Sequence, residues 1–168
     1  EPTTARTIKV AGVLFEPART GDYKAANFRQ ARDLIREAAA GGADVVCTYA
    51  HGLDGYGRDA NKMNGTSDPP ATRSEIMGES GYIRRLGELA KELHIAIAAG
   101  VAIREGQNTF NSTLLFSDTG KLVGIYRKTH NAGKYARWFA PLTAKDKKAA
   151  CPSFPIGIGR LSVKICND

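Results

Sequence analysis

Three short segments of the chain carry side chains able to do covalent chemistry. They are Tyr49-Ala50-His51-Gly52-Leu53-Asp54-Gly55-Tyr56, Tyr126-Arg127-Lys128-Thr129-His130 and Ile165-Cys166-Asn167-Asp168. Each directly follows an apolar stretch that reads as a β-strand, and ligands of open α/β sheets gather beyond the carboxyl ends of strands. Singly, each has an ordinary reading. A cysteine at a strand end is usually a small buried hydrophobe. Arg127-Lys128 fits a solvated strand terminus, and residues 52–57 fit a plain turn. Their shared position after strands is what sets them apart.

The elements that must position them follow from the apolar pattern. Residues 8–15 (IKVAGVLF) are apolar on both faces, as expected of a strand covered on two sides. A helix is predicted from about residue 22 to residue 40, with Phe28, Ala31, Ile35 and Ala38 on one stripe. Asp22 is its expected N-cap and Gly41-Gly42 its stop. Residues 43–49 return as a second strand, which makes a βαβ unit and a parallel sheet. Residues 52–73, rich in Gly, Asn, Asp and Pro, read as a long loop. A second helix is predicted over 74–94 and a third strand over 95–103. Residues 111–117 and 121–127 form two strands around the turn Asp118-Thr119-Gly120. Residues 129–159 read as irregular and 161–165 as a last strand. The order βαβαβ-ββ-β defines an α/β domain with helices on at least one face.

Composition narrows the functional classes. A chain of 168 residues suits one domain with its own core. No apolar run approaches the ~20 residues of a membrane helix, so no membrane association is expected. The net charge of +7 is spread along the chain, with one dense run at Lys145-Asp146-Lys147-Lys148. There is no basic stripe with interleaved aromatics, so nucleic acid is not an expected partner. Cys47, Cys151 and Cys166 are odd in number and widely spaced, which argues against a disulfide framework. His51, His94 and His130 lack metal-ligand spacing, so no metal site is proposed. Gly157-Ile158-Gly159 precedes a strand instead of following one, and no P-loop occurs, so no cofactor is implied. A cytoplasmic setting is the expectation, and whether a leader once preceded Glu1 is not readable from residues 1–7.

Taken together, the segments resemble the nitrilase, or carbon–nitrogen hydrolase, superfamily. The likeness runs through nearly the whole chain in order. It takes in the first strand with Pro17, the strand Ala43-Asp44-Val45-Val46, the turn Asp54-Gly55-Tyr56 and the strand at 95–103. Its most specific pieces are the hairpin from Asn111 to Lys128-Thr129-His130 and the terminal Ile165-Cys166-Asn167-Asp168. The resemblance implies an αββα sandwich, of which this chain holds the N-terminal part up to the nucleophile strand. It also implies hydrolysis of small amides or nitriles through a Glu–Lys–Cys triad, and homo-oligomers. Cys166 is then the nucleophile and Lys128 the stabiliser of developing negative charge. The physics agrees, because the thiolate is the reactive form and a neighbouring ammonium favours it.

Two departures bear on activity. The family's Glu base stands five residues before the Gly-Tyr turn, which here is Ala50. A second Glu, about eight residues after the Lys, corresponds to Ala136. The expectation is therefore a strongly weakened or inactive form, with a non-catalytic binding or assembly subunit as the alternative. The family's helix and second half after the cysteine have no counterpart before Asp168, so a complementary C-terminal fragment is an expected partner. Tyr56, Trp138 and Phe139 are the candidate substrate-binding residues.

Overall fold

The computed structural model describes residues 7–19, 21–55, 74–131, 136, 138–142, 152–166 and 168. The elements are β1 (Val10–Val13), α1 (Tyr23–Ala40), β2 (Val45–Thr48), β3 (Glu75–Ile76) and α2 (Gly81–Leu93), followed by β4 (Ala96–Glu105), β5 (Asn108–Phe116), β6 (Leu122–Arg127), β7 (Ser153–Pro155) and β8 (Arg160–Ser162).

Six strands form one sheet in the order β1-β2-β4-β5-β6, with β3 added along the far end of β4. β1, β2 and β4 run parallel, with Val10 opposite Val45 and Val45 opposite Ala96. β4, β5 and β6 are antiparallel neighbours. Both helices lie on one face. Phe28, Ala31 and Ile35 of α1 and Ile83, Leu86, Leu89 and Ala90 of α2 pack on Val46, Ile97, Val101, Leu114 and Phe116 of the sheet. Removing such side chains from water is the main drive for this layer. On the other face, the β7–β8 hairpin sets Ile156, Phe154 and Leu161 against Val45, Ala96, Leu115 and Tyr126. Phe154 lies so close over Gly124 of β6 that any Cβ there would collide with its ring.

The fold corrects four expectations drawn from the sequence. β1 is not covered on both faces: Val13 is buried, whereas Val10 and Leu14 are 63% and 77% exposed. It is the sheet's edge strand, and among the described residues the buried side chains of the β7–β8 hairpin cluster with strands from β2 to β6. The second helix starts at Gly81, not residue 74. Glu75 and Ile76 instead pair with Ile103 and Arg104, and the Ser80 hydroxyl accepts from Ile83 N to cap the helix. Asp22 holds the N-cap position of α1 but makes no side-chain capping bond. The last strand is Arg160–Ser162 instead of residues 161–165, and it pairs with β7, inside the stretch read as irregular. The loop at 56–73 and the basic run at 145–148 lie outside the described residues.

Candidate active site

β2, β6 and the segment after β8 deliver the three chemistry-bearing segments to one region. At the end of β2, Thr48, Tyr49 and Ala50 line a cavity of about 360 Å³ together with Thr113 of β5 and Ile165 and Cys166 of the segment after β8. Cys166 is exposed and adopts φ = +58°. A non-glycine residue in this left-handed region is strained, and such strain recurs where a side chain must be aimed.

Lys128 follows β6 directly. It is buried, its backbone N–H donates to Asn111 O at 2.8 Å, and its Nζ donates to the carbonyl of Ile165, the residue before Cys166. Its counter-ion is Asp168, with Nζ 3.5 Å from Oδ1. The Asp168 side chain is fully buried and accepts from Tyr126 Oη (2.8 Å), Thr129 N (3.1 Å), Thr129 Oγ1 (2.9 Å) and His130 N (2.8 Å). Burial alone pushes this carboxyl up. The bonds from His130, Tyr126 and Thr129, with the Lys128 charge, outweigh it and hold the group below the ordinary range.

Ala50 and Cys166 therefore line one cavity, whereas Lys128 is not on its wall and reaches it through the carbonyl of Ile165. The backbone that holds Ala50 depends on Gly100 of β4. A Cβ there would stand 2.8 Å from Ala50 Cα and closer still to Tyr49 O, so only glycine lets the turn lie against the strand. His51 does not line the cavity. Its φ of +60° turns the ring away, where it is buried with Nδ1 2.9 Å from Asp54 Oδ1, and Asp54 Oδ2 accepts from Ala102 N at 2.7 Å. Strand alternation is not the cause, because residues 50–55 form a turn beyond β2.

Trp138 and Phe139 are not brought to this cavity. Phe139 is buried with its ring 5.2 Å from that of His51, and its N–H donates to Ala136 O at 3.3 Å. Ala136 also lies off the cavity wall. Tyr56 lies outside the described residues. Cys47 shares the cavity wall, but burial pushes its thiol up, away from the reactive form. Sequence reasoning missed Gly100 and the roles of Asp54 and Asp168. Asp168, two residues after Cys166, carried the one visible signal.

The site thus joins, on one α/β sheet, an exposed cysteine with positive φ at the end of one segment and a buried lysine at the end of another. The signature described as "Carbon-nitrogen hydrolase" matches residues 17–168. The chain belongs to that family, within the nitrilase superfamily. It is 30% identical over 98 residues to a probable nitrilase of Schizosaccharomyces pombe (56% of this chain, 34% of the relative). It is 25% identical over 155 residues to deaminated glutathione amidase of Bos taurus (86% of this chain, 44% of the relative). Among solved structures it is similar to the amidase from Nesterenkonia sp. AN1, in a glutamate-to-glutamine variant showing Michael addition of acrylamide at the active-site cysteine. The TM-score is 0.73 at 18% identity, over 95% of this chain and 57% of that one. The chain thus spans less than half the length of these curated relatives.

Proposed function

We propose that this chain carries the nucleophilic half-site of a hydrolase acting on a small amide or nitrile, with Cys166 as nucleophile and Lys128 as electrostatic stabiliser. The observation that carries this reading is the bond from Lys128 Nζ to the carbonyl of Ile165, which sets a buried cation beside the thiol-bearing residue. For an amide, Cys166 Sγ attacks the carbonyl carbon and the Lys128 charge stabilises the resulting oxyanion. The C–N bond then breaks, the amine leaves with a proton, and water hydrolyses the thioester to the acid.

Both proton transfers need a base, and the family resemblance implies one at position 50, where this chain has alanine. Loss of a general base typically costs about 10²–10⁴-fold in rate. The proposed form is therefore slow on amides, acylates from activated esters, and holds the acyl group. The second reading, a non-catalytic subunit that keeps the scaffold, is favoured by Ala50 and Ala136.

The deciding experiment is intact mass spectrometry before and after incubation with a reactive short-chain acyl ester, followed by peptide mapping. A stable single adduct at Cys166, with Cys47 unmodified, is the expected result. A folded sample that takes up no acyl group overturns the catalytic reading in favour of the scaffold.

A further inference from the structure

We propose that Asp168 is the positioning residue of this site, keeping the Lys128 ammonium charged and fixed beside Cys166, a role that rests on the Cys166–Lys128 pair proposed above. The geometry is unusual for a structural carboxylate. Oδ1 collects Thr129 N, Thr129 Oγ1 and His130 N, while Oδ2 takes Tyr126 Oη and, at 3.4 Å, Ile165 N. One side chain thus ties the segment after β6 to the segment bearing Cys166, and the ammonium sits between them.

An ammonium as buried as that of Lys128 is costly to keep ionised without a counter-charge, since desolvation favours its neutral form. Neutral lysine would lose its value both for lowering the thiol pKa and for stabilising an oxyanion. Asp168 supplies the counter-charge at 3.5 Å and is itself fixed as an anion by backbone and hydroxyl donors. Its neighbours divide by charge. Lys128 and the exposed imidazole of His130, whose Nδ1 is 3.6 Å from Oδ1, are cationic or can become so. Tyr126 contributes a phenol, over whose ring Lys164 Nζ lies at 5.9 Å. Thr129 Oγ1 also lies 2.8 Å from His130 Nδ1, so when its single proton goes to Asp168 the imidazole must donate to it.

The test is the pH profile of Cys166 alkylation by iodoacetamide, read by peptide mapping so that Cys47 and Cys151 are scored separately. In the unsubstituted chain Cys166 should be alkylated faster at neutral pH than a free thiol, because a neighbouring ammonium favours the thiolate. Asp168→Asn should move the profile toward higher pH, with roughly tenfold slower alkylation at neutral pH. Asp168→Glu, which keeps the charge, should recover most of that loss. A carboxylate that merely braced the fold would change the melting temperature and leave the midpoint where it was. One that acted only as a nearby negative charge would, when removed, lower the midpoint. Either result in folded Asp168→Asn overturns the proposal. If that variant does not fold, Thr129→Val removes one donor to Oδ1 without changing shape. It should slow neutral-pH alkylation about twofold, and an unchanged profile overturns the proposal. Neutral-pH alkylation of the unsubstituted chain no faster than that of a free thiol would instead defeat the assignment of Cys166 and Lys128 themselves.

Discussion

Gly100 and Ala50 are in backbone contact across the sheet: a methyl group added to Gly100 would stand 2.8 Å from Ala50 Cα. The Gly100 N–H also donates to Thr48 Oγ1 at 2.9 Å, so this point of β4 both admits and anchors the end of β2. The part of the cavity wall formed by Tyr49 and Ala50 is thus set from a strand that carries none of the proposed reacting groups.

Gly100→Ala should therefore displace the 49–50 turn, because its obstacles are backbone atoms that no rotamer change can move. The expected cost is about 1–3 kcal/mol, in the range of overpacked cores. Urea denaturation would measure it, and acylation of Cys166 in the folded variant should be slower than in the unsubstituted chain.

Ala50→Glu would place a carboxylate on the wall of the cavity that Cys166 also lines. Release of ammonia from simple amides should rise by about 10²–10⁴-fold, the usual worth of a general base. The acyl adduct formed from activated esters should turn over instead of accumulating. Unchanged release would move attention to Ala136.

Lys128→Met removes the cation from a buried pair and leaves Asp168 charged and uncompensated. Breaking such a pair typically costs about 3–5 kcal/mol. A chemical-denaturation midpoint should fall accordingly, and Cys166 should lose its reactivity at neutral pH. Stability unchanged within a few tenths of a kcal/mol would mean that the Lys128–Asp168 contact contributes nothing.

Asp168 also predicts an acid limb. Its carboxyl is held below its ordinary value in the folded chain despite burial. The stability it contributes is therefore complete above the unfolded carboxyl pKa of about 3.9 and is lost as pH falls through the lower folded value. Plotted against pH on the acid side, the denaturation midpoint should fall more steeply for the unsubstituted chain than for Asp168→Asn. Parallel curves would contradict this.

The two helix caps should behave differently. Ser80 Oγ accepts from Ile83 N and donates to Glu75, which also binds Lys24 Nζ at 2.5 Å. Asp22 makes no capping bond. Ser80→Ala should cost about 1 kcal/mol or more, and Asp22→Ala only a few tenths. Equal losses in thermal unfolding would show that cap geometry does not decide.

The order of apolar stretches in the sequence was enough to determine the parallel start of the sheet and, apart from β3 and β7, the helix–strand alternation, because burial periodicity is a local property, while the motifs at the strand ends carried the family. Residue type and chain position were enough to single out Cys166, Lys128 and Ala50. The tertiary structure decided the rest. Whether β1 is covered depends on how far a hairpin more than a hundred residues later extends over the sheet. Phe139 was drawn to His51 and not to the cavity by packing. The burial of Lys128 and the convergence of donors on Asp168 arise only when the ends of β6 and of the segment after β8 meet. Charges held in a dry interior depend on neighbours distant in sequence, and no local pattern encodes that distance.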